Sequence, residues 1–129
     1  MSDGKDSLRI FKNAWFKRFA RRKKISDKTL KEAIARVEEG AVDADLGGNV
    51  LKQRIARPGQ GKSGGYRTII VFKQGDKAFF VYGFAKSERE NIDKDEIAIF
   101  KKSAKALLAL SDEQIQKLIE NEGLTEIKS

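Results

Sequence analysis

YRTIIVFKQGDKAFFVYGFA, residues 66–85, holds two runs dense in β-branched and aromatic side chains, separated by Gln74, Gly75 and Asp76. Two such runs flanking a short polar turn with a glycine spell an antiparallel hairpin, with strands over Tyr66–Lys73 and Lys77–Ala85. Their apolar character is nearly continuous, where a strand wetted on one face would alternate. The spacing therefore predicts central strands packed against helices.

Working outward toward the N-terminus, Val50–Ala56 alternates loosely and reads as a third antiparallel strand. It is joined to the hairpin by ARPGQGKSGG, residues 56–65, which contains the chain's only proline. This connection fits a relaxed phosphate-loop pattern: Ala56, four spacers, then Gly61, Lys62 and Ser63. A phosphate loop, however, needs a helix beginning at its Lys-Ser, because the helix N-terminus and the preceding N–H groups hold the phosphates. Here Gly64, Gly65 and a strand follow. The glycines read instead as a pliable link that brings Arg57 and Lys62 near the sheet edge.

Further out the period changes to that of helices. Leu8–Lys12 is a short candidate strand, and Asn13 caps a helix running to about Lys24, with Trp15, Phe16 and Phe19 on one face. Its other face carries Lys17, Arg18, Arg21, Arg22 and Lys24. Ser26 caps a second helix with Leu30, Ala33, Ile34 and Val37 at three-four spacing, stopped by Gly40 and followed by the loop AVDADLGG. Beyond the hairpin, Asp93 with Glu96 forms a capping box for a helix bearing Ile97, Phe100, Ala104, Leu107 and Leu108. Ser111 with Gln114 repeats the device for a last helix ending near Gly123. The fold class expected is α+β, one domain over residues 1–129: a small antiparallel sheet packed with an N-terminal helical hairpin and C-terminal helices.

Composition narrows the chemistry. The 129 residues carry 27 Lys and Arg against 19 Asp and Glu, a net charge of +8, with no cysteine and no histidine. Disulfides and thiolate metal sites are excluded, as is imidazole as base or ligand, so neither a metal nor another cofactor is expected. Residues 1–87 contain 20 basic against 9 acidic side chains, residues 88–129 contain 7 against 10. The first part therefore carries +11 and the tail −3, a field that gathers polyanions such as nucleic acid. No run has the length of a membrane span and MSDGKDSLRIF lacks a signal peptide's apolar segment, so the expectation is a cytoplasmic protein with no membrane partner.

GKSGGYRTIIVF followed by the hairpin and FFVYGFAKSERENI resembles the RelE-type, HigB-like toxins of bacterial toxin–antitoxin pairs, in the RelE/ParE superfamily. The resemblance extends over most of the chain. It implies a RelE-like fold and a metal-independent endoribonuclease that enters the ribosome and cuts messenger RNA until its antitoxin binds. The implied partners are therefore the ribosome, messenger RNA and a cognate antitoxin, expected to be a small helix-turn-helix protein. The family's basic pair before the glycine-rich link matches Lys52 and Arg54, its Gly-Tyr-Arg arginine matches Arg67, and its Lys-x-Glu-Arg stretch matches Lys86, Glu88 and Arg89. Ser87 stands where the best-known members have a second arginine, and Asp93 where they have a tyrosine.

The residues support such chemistry in their own right. When a 2′-hydroxyl attacks its own phosphate, the reaction needs a proton acceptor, positive charge at the non-bridging oxygens and a donor for the leaving 5′-oxygen. Lys52 and Arg54 lie two apart and so share one face of a strand, where Arg67 can join them from the next strand. Glu88 and Lys62 are further proton carriers. Arg57, Lys62, Tyr66, Arg89 and the helix face of Arg18, Arg21, Arg22 and Lys24 are candidate contacts to RNA or ribosome; Tyr66 and Tyr82 have rings able to stack on a base, while the apolar runs they occupy favour the core. Exposed strand charges are also commonly just the solvated side of a sheet. Two other readings stay open: a superfamily relative that poisons DNA gyrase by binding, and a non-toxic nucleic-acid-binding module.

Overall fold

A computed structural model describes residues 8–56 and 65–128. The elements run β1 (Arg9–Asn13), α1 (Ala14–Lys23), α2 (Asp27–Glu38), β2 (Ala44–Gly47), β3 (Val50–Ile55), β4 (Tyr66–Lys73), β5 (Lys77–Ala85), α3 (Lys94–Leu108), α4 (Asp112–Glu120) and β6 (Leu124–Ile127). They build a mixed α+β fold around one six-stranded sheet, ordered β2-β3-β4-β5-β1-β6.

The hairpin forms as its sequence predicts, with Gly75 in the left-handed region (φ +75°) at the turn. Its register runs from Tyr66↔Ala85 to Lys73↔Lys77, with a shift where Ile69 pairs with Tyr82 and Ile70 with Phe80. Val81 is thus a bulged extra residue. The sheet is larger than the three antiparallel strands expected. β2 and β6 are edge strands of four residues each, too short and too polar to show an alternation. β1 pairs parallel with β5 and antiparallel with β6. A parallel neighbour requires a long crossover, and the chain from α1 to β4 supplies it.

Helix boundaries follow their caps. Asn13 Oδ1 accepts from Phe16 N at 2.7 Å while its amide donates to Val81 O, tying the start of α1 to β5. Ser26 caps α2, and both predicted capping boxes are complete, Asp93 with Glu96 and Ser111 with Gln114. Each face of the sheet is covered. Phe16, Phe19, Leu30, Ala33 and Ile34 of α1 and α2 pack on Tyr66, Ile70 and Phe80. On the opposite face Ala104 and Ile115 of α3 and α4 meet Phe11, Ile69, Val71 and Phe79. Two-sided coverage explains why β4 and β5 are apolar throughout. No helix among the described residues is long and apolar enough to cross a membrane.

Candidate functional site

β3 and β4 pair so that Arg54 stands directly opposite Arg67 and Lys52 opposite Ile69. Directly opposed residues of an antiparallel pair project from the same face, and Ile69 belongs to the core beneath α3 and α4. Lys52, Arg54 and Arg67 therefore share that face. They stand toward the end of the sheet where β3 finishes, β4 begins and β5 finishes. Arg54 is exposed; Lys52 and Arg67 are half-buried.

Like charges placed directly opposite on a strand pair repel. Yet among the described residues no carboxylate forms an ion pair with the guanidinium of Arg54 or of Arg67. Asp43 is engaged by the main chain instead, its Oδ2 accepting the backbone N–H of Arg54. Arg36 Nη2 donates to the Arg54 carbonyl at 2.9 Å, so the backbone here is held from both sides while the side chain is left to solvent. An uncompensated arginine pair is a site for an anion.

Lys52 is anchored. Its Nζ donates to Asn91 Oδ1 at 3.1 Å, and the same oxygen accepts Ile92 N at 2.9 Å. Asn91 is fixed in turn by Arg89, whose Nε donates to the Asn91 carbonyl at 3.0 Å. Arg89 grips both oxygens of Glu96 and donates to the Tyr82 hydroxyl at 3.0 Å, with its guanidinium 5.5 Å above the Phe84 ring. The bonds to Arg89, aided by the Asp93 N–H, hold the Glu96 carboxyl below the usual glutamate range. The bonds to Glu96 and then Tyr82 push Arg89 further above its already high value. Arg89 is thus a strut that sets the 86–91 loop beside Lys52, rather than a cation left open to a ligand.

The other candidates are dispersed. Lys86 is exposed immediately after β5. Glu88 points away to Lys23 of α1, 3.4 Å from its Nζ. Tyr66 is only 3% exposed and sits edge-on to Phe19 in the core under α1, which corrects its assignment as a stacking platform: strand alternation turns it to the face opposite Arg67. Tyr82 stacks on Trp15 at 4.6 Å. Arg18, Arg21, Arg22 and Lys24 are exposed on α1, which covers the opposite face of the sheet from Lys52, Arg54 and Arg67. Lys24 also ends that helix in the left-handed conformation (φ +59°). Arg57, Lys62 and Gly64 lie outside the described residues.

Asn91, Asp43 and Arg36 escape sequence reasoning, because only the folded register brings them to Lys52 and Arg54. Asp93, which stands at the tyrosine position of the resembling toxins, is occupied as the N-cap of α3. Among the described residues no group of three or more His, Cys, Asp or Glu side chains could hold a metal ion.

A small α+β fold whose sheet presents two opposed arginines, with no ion-paired carboxylate among the described residues, carries a local field that favours anions. The family is narrower: a family model described as the RelE toxin of the RelE / RelB toxin-antitoxin system matches residues 8–127. The chain belongs to that family, and membership supports a toxin-like, nucleic-acid-binding role in general. No curated protein matches the sequence.

Proposed function

We propose that the protein is a ribosome-dependent endoribonuclease that cuts messenger RNA and is silenced by a cognate antitoxin. The observation that carries this reading is the Arg54–Arg67 pair facing across β3 and β4 with Lys52 on the same face and, among the described residues, no carboxylate ion-paired to either arginine. A scissile phosphate set over the pair would have its non-bridging oxygens neutralised as the fifth bond to phosphorus forms. The 2′-hydroxyl gives up its proton as its oxygen attacks. Lys52, its position fixed by Asn91, is the candidate acceptor for that proton. Cleavage of the P–O5′ bond leaves a cyclic phosphate and a 5′-hydroxyl, and Lys86 stands at the strand end as a candidate donor for that oxygen.

Induction should arrest translation and leave transcripts cut within ribosome-bound message. Purified protein added to ribosomes on a defined transcript tests this, with Arg54→Ala and Arg67→Ala as controls. Loss of cutting in both variants with folding retained supports the reading. Uncut transcripts with the unaltered protein, together with inhibited gyrase supercoiling, would replace it with gyrase poisoning by binding.

A further inference from the structure

A second cationic cluster lies at the other end of the same sheet. A cleft of about 490 Å³ opens between the β2–β3 turn and the C-terminal half of α3, lined by Lys73, Lys101 and Lys105 together with Leu108 and Ala109 and no carboxylate. The turn is built to admit a lysine. Gly48 and Asn49 both adopt positive φ (+60° and +67°), the two-residue hairpin geometry, and Asn49 is bonded to Phe72 at the end of β4. Lys101 fills the space beside Gly48: its Cγ would stand 3.0 Å from a Cβ there. The aliphatic stem lies against Gly48, and the ammonium stands beside the neighbouring Gly47, 3.3 Å from where a Cβ would be.

Among the described residues neither Lys101 nor Lys105 has an ion pair, and Lys73 has only Asp76 at 3.9 Å, a carboxylate that sits closer to Lys77 at 3.0 Å. Lys105, in the last turn of α3, complements the helix dipole, but that account does not extend to Lys73 or Lys101. Three lysines lining one cleft with no carboxylate among its lining residues make a local field that favours an anion. Their ammonium groups are also compact point charges suited to phosphate oxygens. Leu108 and Ala109 offer no large aromatic pocket of the kind that anchors a peptide's buried side chains.

We infer that the Lys73–Lys101–Lys105 cleft is a second docking site for an RNA phosphate backbone, separate from the arginine pair. Arg67 and Lys73 stand six residue steps apart along β4, about 20 Å at about 3.4 Å per residue. The fifteen-residue α3 bridges the same span at about 22 Å. One folded RNA can therefore be held at two points, its reacting phosphate at one end of the sheet and a neighbouring segment at the other. The inference rests on the proposed RNA-directed role, and its test reads binding in the absence of ribosomes, so that it stands or falls apart from cleavage.

The experiment is a salt titration of the full chain against a labelled RNA hairpin. Each phosphate that the protein no longer neutralises lowers the log-log salt slope by about 0.7 to 0.9. Lys101→Gln with Lys105→Gln should reduce the slope by about 1.4 to 1.8. Lys28→Gln with Lys117→Gln, the same change of charge on α2 and α4, should leave it near that of the unaltered protein. Lys73→Gln with Lys105→Gln gives a second test that leaves the Lys101–Gly48 packing untouched. A reduced slope in a protein that cuts no transcript ends the nuclease reading and keeps the second site. A slope unchanged in both lysine pairs, or lowered equally by the control pair, overturns the inference, as does an unchanged RNA slope when binding of an acidic peptide disappears.

Discussion

Arg54 and Arg67 face each other at a cost that the folded protein alone does not recover. A repulsive cross-strand pair is worth up to about 1 kcal/mol, so Arg67→Ala should leave stability unchanged or raise it slightly at low salt, as denaturant unfolding would show. The same change should lower transcript cleavage a hundredfold or more, by analogy with the about 2.7–4 kcal/mol lost with an oxyanion donor. Lys62→Ala, assayed beside it, should lose less; a phosphate loop would give the reverse order, with the lysine indispensable. The i, i+2 relation of Lys52 and Arg54 is legible in the sequence because strand period is a local property. That Arg67 lands opposite Arg54 depends on register, and only resemblance to a family makes it legible beforehand. Arg89 looks like any basic residue in a charged stretch, and only its grip on Glu96 reveals a strut. Tyr66 belongs to an apolar run and obeys it.

At the level of elements, the caps are the most readable features, since Asn13, Ser26, Asp93 and Ser111 each act on an N–H three residues ahead and need nothing distant. The edge strands are the least readable. Leu124–Ile127 is a strand because β1 offers it a partner, and its attachment is partly electrostatic: Arg9 makes two 2.9 Å bonds to Glu126. Those bonds, against the opposing effect of burial, hold the Glu126 carboxyl below its usual range. A folded-state value lowered in this way stabilises the protein above the ordinary glutamate value of about 4.3, and the contribution disappears as pH falls through the lowered value. Protection factors of the β6 amides, exchange taken relative to the intrinsic rate at each pH, should therefore fall under acid, and Glu126→Gln should show lower protection at neutral pH with a flatter acid response. A different constraint governs α1 on β5. A Cβ at Gly83 would approach Phe19 Cε2 to 2.7 Å, so Gly83→Ala should overpack this contact and cost about 1–3 kcal/mol in denaturant unfolding.

Across the whole molecule, helices on both faces close the sheet and leave function to its ends and its rim. The α+β class is legible because the hairpin and the four helices are each marked by local patterns. Strand order is not, since a parallel β1–β5 pairing joins segments more than sixty residues apart and leaves no periodic trace. That topology has a mechanical meaning. β1 and β6 are antiparallel neighbours, with Ile10 beside Ile127 and Asn13 beside Leu124, so residues 9 and 127 lie at the same end of the ribbon. Tension applied through those two residues would load the ribbon's bonds one after another, as a zipper opens, whereas shearing would strain them together. Single-molecule pulling from these positions should show β6 peeling away at low force ahead of the rest, and a tether moved to Asn13 and Ile127, at opposite ends of the ribbon, should load it in shear and demand more. A cellular unfoldase that draws on the chain from residue 9 or 127 would meet the weakest seam of the fold first.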